Sequence, residues 1–157
     1  MGAANLDGIL GDTLDWPFFE DRHRRFAEEL SAWADAMLPG LPPEDVDAAC
    51  RARVTALGEG GFLRAVVPEA YGGLSPALDV RTLCLAREIL AARDGLADFA
   101  FAMQGLGTGA ITVAGSEAIA AAGAALIAGS PPWADTALSW PVRPVDFSAC
   151  VAEVVRR

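Results

Sequence analysis

The residue types that most often carry chemistry are few in this 157-residue chain, and their spacing limits what they can do. Cys50, Cys84 and Cys150 are odd in number, far apart and without a neighbouring Cys or His, so a disulfide framework and a zinc site both lack their ligand pattern. No metal is expected, and a reducing cytoplasmic setting follows from such cysteine usage. His23 is the one histidine. It falls on an apolar helical stripe, which reads as a core-edge histidine with a partly wet ring rather than a ligand or base. Arg87 and Glu88 look like a catalytic pair, but neighbours on a helix point about 100° apart and do not converge on one substrate. An ion-pair role, solvated or interdomain, fits them better. Glu153 stands near the end of the chain with no motif around it, and no residue is nominated as catalytic.

Charge excludes further classes. All twelve basic residues are Arg, none Lys, against 21 acids, for a net charge of −9. With no basic run longer than Arg22-His23-Arg24-Arg25, there is little to neutralise phosphates, so nucleic acid and anionic membranes are not expected as partners. The Arg-only, Ala/Gly/Pro-rich composition reads as that of a GC-rich bacterial genome. Met1 to Asp15 has no basic segment ahead of an apolar run and is not a signal peptide. Phe99 to Ser116 is uncharged and nearly long enough to span a bilayer. It contains Gln104, Thr108, Thr112 and glycines, however, and Asp98 and Glu117 bracket it, so a buried helix, open to a break near Gly105 to Gly109, is the better reading.

The elements that must position these residues are helical. A first helix is expected from Trp16 to Met37, capped by Asp15, with Phe19, Phe26, Leu30, Trp33 and Met37 on one stripe. Pro39 to Pro43 interrupts it. A second helix starts at Pro43-Glu44-Asp45, turns Val46, Cys50, Val54 and Leu57 inward, and ends at Gly58 to Gly61. Phe62 to Val67 is a short apolar run leading into a loop, Pro68 to Pro76, where Pro68 fixes one dihedral and Gly72-Gly73 permits positive φ. A third helix covers Ala77 to Asp94 with Val80, Leu83, Cys84 and Leu90 on one side. A fourth covers Gly95 to Ala114, and a fifth runs from Glu117 to Ala128 behind a Ser116 cap.

Several ordered stretches carry a family resemblance. Val67-Pro68-Glu69-Ala70-Tyr71-Gly72-Gly73, after the Gly61-Phe62 pair, is followed by Gln104-Gly105-Leu106-Gly107 and then Gly115-Ser116-Glu117. Together they resemble the amino-terminal helical domain of acyl-CoA dehydrogenases, over roughly Trp16 to Pro141. The resemblance implies an all-α bundle of about five helices at residues 15–129. A flexible lead-in at 1–14 would precede it, and a degenerate start of the flavin-binding middle domain, as an irregular or single-strand tail, would occupy 130–157. It implies FAD as cofactor and an acyl-CoA thioester as substrate, dehydrogenated between Cα and Cβ, and a homo-oligomer or a partner dehydrogenase subunit. Positions counted from the Gly-Ser-Glu anchor match Asp98, Phe99 and Ala102 to sites lining the acyl pocket, with plain packing an equal alternative for Phe99 and Ala102. Their spacing of one and three residues is expected to put them on one helical face.

The flavin strand of the family matches Ala137-Leu138-Ser139-Trp140-Pro141 in register, which implies Leu138 and Ser139 as cofactor-binding positions. Beyond Pro141 the pattern departs. Val142 to Asp146 replaces the small Gly-Ser turn, Pro144 has no N–H to offer a flavin or phosphate oxygen, and Trp140 and Val145 stand where a carboxylate and a hydroxyl belong. No residue matches the family's carboxylate base. The chain is therefore expected to be a dehydrogenase relative that is incomplete and inactive alone. The alternatives are a helical module that docks on a separate dehydrogenase chain, and a functionless remnant.

Overall fold

The computed structural model describes residues 8, 10–41 and 45–114. Four α-helices order them: α1 (Asp21–Met37), α2 (Val46–Glu59), α3 (Val80–Ala91) and α4 (Gly95–Ala114). Among the described residues there is no strand, only an isolated parallel bridge between Pro68 and Ser75, so the all-α expectation holds. The fifth helix and the 130–157 tail lie outside the described residues. Helix α4 is the hub of the packing: it lies against α3 and α2, and α1 covers the other side of α3. Leu30, Leu57, Leu63, Leu85, Ile89, Leu90 and Phe101 fill the centre, each almost wholly buried. Truncating one of the aliphatic members to Ala would cost about 2–5 kcal/mol through lost contact and residual cavity.

Helix α1 begins five residues later than its apolar pattern suggests. Trp16 to Glu20 is non-helical, and the start is set by a capping box: the Glu20 side chain accepts the His23 N–H, while His23 Nδ1 accepts the Glu20 N–H at 2.9 Å. This corrects the picture of a partly wet His23, whose ring is 0% exposed. At the far end of the expected stripe Met37 is exposed, whereas Trp33 packs on Phe62 at 5.1 Å between ring centroids. In the lead-in, Leu10 is buried in the core and the Leu14 carbonyl accepts from Arg24 Nε at 3.0 Å.

Helix α2 is capped by Asp45, whose carboxylate accepts the Asp47 and Ala48 N–H groups. Its inward face is Ala49, Arg53, Val54, Ala56 and Leu57, and Val46, expected to face inward, is exposed. The buried Arg53 donates through Nε to Asp94 at 2.8 Å, while Asp94 accepts the Leu96 and Ala97 N–H groups and so caps α4. One carboxylate thus ties α2 to the first turn of α4.

Between α2 and α3 the chain forms a 3-10 turn at Phe62–Val66 and another at Glu69–Tyr71. Pro68 O accepts the N–H groups of Tyr71 (2.9 Å) and Gly73 (3.0 Å), and Ser75 O accepts that of Glu69 (2.7 Å). Gly72 sits at φ +90°, and a Cβ on Gly73 would lie 1.6 Å from the Val67 carbonyl oxygen. Both glycines are therefore dictated by the turn. Helix α3 starts at Val80 behind an Asp79 cap, not at Ala77, and buries Thr82, Leu85, Ala86, Ile89 and Leu90. Val80 and Cys84 are exposed instead of inward. Helix α4 runs unbroken through Gly105 to Gly109, stitched down where Thr108 Oγ1 lies 3.1 Å from Val66 O and 2.8 Å from Gln104 O. No described helix is long and apolar enough to cross a membrane.

Candidate acyl-binding cavity

A cavity of about 260 Å³ opens between α3, α4 and the Phe62–Val66 turn. Its wall from α4 is Phe101, Ala102, Gly105 and Leu106, spaced so that they follow one side of the helix. Facing them stand Val66, Leu78 and Leu83. Gly105 lets the two sides approach, since a Cβ there would meet Val66 Cγ1 at 3.4 Å. The one charged residue of the lining is Arg87. Its guanidinium grips Asp98 in a two-pronged pair, Nε to Oδ1 and Nη2 to Oδ2, both at 2.9 Å. The Asp98 hydrogen bonds push the Arg87 pKa upward, so its charge is fixed at any accessible pH.

Apart from that guanidinium the lining is apolar. It presents no nucleophile and no base, and no group of three or more His, Cys, Asp or Glu among the described residues could hold a metal ion. A flavin ring needs donors and acceptors along its polar edge, and one guanidinium already paired with Asp98 does not provide them, so this cavity does not fit FAD. A second, more polar cleft beside Arg22 and Arg25 is a poorer candidate, because Arg22 is already used by Glu20, Ser75 and Asp79.

A family model describing the acyl-CoA dehydrogenase N-terminal domain matches residues 20–124, two thirds of the chain. The chain belongs to the acyl-CoA dehydrogenase family. No curated protein matches it. The matched stretch contains the four described helices and every residue of the cavity lining.

Within that domain the three residues matched to the acyl pocket are placed differently from one another. Ala102 is in the cavity wall. Asp98, one helical turn before it, is not among the wall residues but pairs with one of them, Arg87. Phe99 is 55% exposed and is not among the wall residues. Of the three, Ala102 alone lines the cavity. Leu138 and Ser139 lie outside the described residues. Sequence reasoning missed Phe101, Leu83 and Val66 as wall residues and Arg87 as their charged neighbour. Phe101 could have been found from its i, i+4 step to Gly105, the glycine of the Gln-Gly-Leu-Gly stretch. Arg87 could have been found from its Asp98 partner only with the α3–α4 turn known.

Proposed function

We propose that this domain supplies one wall of an acyl-CoA pocket in a dehydrogenase of the family, holding the fatty acyl tail while Cα and Cβ are desaturated. The observation that carries the reading is the apolar groove with Ala102 in its wall, inside the matched domain. In the family a flavin would supply the hydride acceptor for the β-hydrogen and a carboxylate the base for the α-proton, and neither role is assigned to a described residue. What the described residues contribute is orientation and dryness. Each methylene laid between Leu83 and Phe101 leaves water at a gain of about 0.8 kcal/mol, and a tail fixed at its far end positions the thioester end. The groove is open on one side and slightly smaller than a typical ligand site of about 300–1,000 Å³. A second surface must close it, which supports a composite pocket.

The test is Ala102→Trp. In this reading the indole fills the end of the groove, and titration of a C4 to C16 acyl-CoA series, followed through amide chemical shifts of the 157-residue chain, shifts preference toward shorter tails. Chemical-shift titration reads the weak binding expected of a single wall. An unchanged length order together with a lowered melting temperature would mean that Ala102 only packs.

A second reading rests on a different observation. Phe99, Met103 and Leu106 are all exposed and follow α4 at steps of four and three, an apolar stripe that runs to the lip of the groove, where Leu106 also lines the cavity. That stripe supports a module that docks on a dehydrogenase subunit.

A further inference from the structure

The cavity has one charged wall residue, and its charge is matched by a carboxylate that no catalytic role requires. Arg87 lines the groove among apolar side chains, and both of its carboxylate-facing nitrogens are engaged by Asp98 at 2.9 Å. The Asp98 side chain is only 15% exposed, against 55% for Arg87, so the carboxylate is the inner member of the pair. We propose that the Arg87–Asp98 pair is a selectivity element that reserves this groove for uncharged acyl tails. The inference rests on the acyl-pocket reading above.

Guanidinium and carboxylate have matching two-pronged geometry, so a bare Arg87 beside an apolar groove would attract an acyl tail ending in a carboxylate. Asp98 occupies both prongs and repels a second carboxylate approaching the same place. Discrimination thus comes from a filled partner and a like charge together. The wall is left neutral as a pair, and an alkyl tail passing it loses no hydrogen bond of its own. The reciprocal follows from the same charges: with Arg87 removed, the inner carboxylate of Asp98 stands alone and favours a tail ending in an ammonium group.

The experiment is a chemical-shift titration of the 157-residue chain with hexanoyl- and octanoyl-CoA, their length-matched ω-carboxy forms adipoyl- and suberoyl-CoA, and 6-aminohexanoyl-CoA, reading the amides of Ala102 and Gly105. The wild-type chain is expected to favour the alkyl tails. Asp98→Asn, which keeps shape and removes charge, should move the ratio toward the ω-carboxy tails by about fivefold, the scale of a partly exposed charge pair. Arg87→Gln should move it the opposite way and raise relative binding of the ω-amino tail. The double variant should return close to the wild-type order. Because Arg87→Gln and Asp98→Asn act in opposite directions, misfolding of one still leaves a decisive result from the other. If alkyl tails bind and both substitutions leave the ratios unchanged, the selectivity role is overturned while the pocket stands. If no acyl-CoA perturbs Ala102 or Gly105 in any form of the chain, the pocket reading itself fails and this inference fails with it.

Discussion

Asp79 ties α1 to the start of α3. It caps α3 and accepts hydrogen bonds from Arg22 (2.7 Å), from His23 Nε2 (3.0 Å) and from the backbone and guanidinium of Arg81. Because His23 Nδ1 accepts the Glu20 N–H, the ring proton sits on Nε2 and points at Asp79. Burial pushes the Asp79 pKa up, but the hydrogen bonds from Arg81 and His23 more than offset it and hold the carboxyl well below the ordinary range. Asp94 is lowered in the same way, burial being outweighed by Arg53 and by the α4 amides. A folded-state pKa below the unfolded value of about 4 means stability that is present above that pH and lost as pH falls through the folded value. Asp79→Asn should therefore cost about 2 kcal/mol at pH 7 and flatten the decline in melting temperature below about pH 4. A variant as stable as wild type at pH 7, with the same acid profile, would show that the pair of helix starts is not held here. The sequence hid this node because its members are 56 positions apart: His23 looked alone for want of a nearby partner, and its partner is the cap of another helix.

At the scale of elements, the four described helices and the Pro68 turn were legible, and the faces were less so. The expected inner face of α3 was Val80, Leu83, Cys84 and Leu90; Leu90 is buried and Leu83 packs on the core, but Val80 and Cys84 are exposed. The face actually buried, Thr82, Leu85, Ala86, Ile89 and Leu90, has a cleaner i, i+3, i+4, i+7, i+8 rhythm but begins with a hydroxyl, and weighing hydrophobicity above periodicity drew in two residues from outside it, Val80 and Cys84. In α2 the same bias overlooked Arg53, which is buried because Asp94 answers its charge. The glycine pair was read correctly as a tight turn, and its stricter member is Gly73. Gly73→Ala forces a methyl onto the Val67 carbonyl and should lower stability by about 2–3 kcal/mol, whereas Gly72→Ala, strained only by its φ, should cost about 1 kcal/mol. Thermal melts of the two variants give the order, and the reverse order would contradict the packing described for this turn. The exposed stripe of α4 supports a contact surface. Met103→Ser with Leu106→Ser should reduce self-association and hydrophobic-dye binding without loss of helicity; a wild-type chain that is monodisperse and monomeric at micromolar concentration, and binds no dye, would remove the docking reading.

At the scale of the whole molecule, family membership was legible because short loops such as Pro68 to Gly73 are fixed by backbone geometry that tolerates few residues, whereas helix faces can be built from many combinations. The groove proposed for an acyl tail was legible only in Ala102, since a wall assembled from α3, α4 and the Phe62–Val66 turn has no signature in any one segment. Cofactor chemistry separates from tail binding at this scale. The groove offers hydrocarbon contact and one already-paired guanidinium, and the Ser139 to Asp146 segment carries Pro141 and Pro144 where backbone donors would be wanted, with Trp140 and Val145 in place of polar partners. A flavin bound by so few donors pays the ordering cost of association with little return. The 157-residue chain should consequently purify colourless and show no activity toward acyl-CoA substrates, even with added FAD, while still giving acyl-dependent shifts at Ala102. Stoichiometric flavin surviving gel filtration would mean that residues outside the groove supply the missing donors, and the division of labour between tail-binding wall and cofactor site would then have to be redrawn within this one chain.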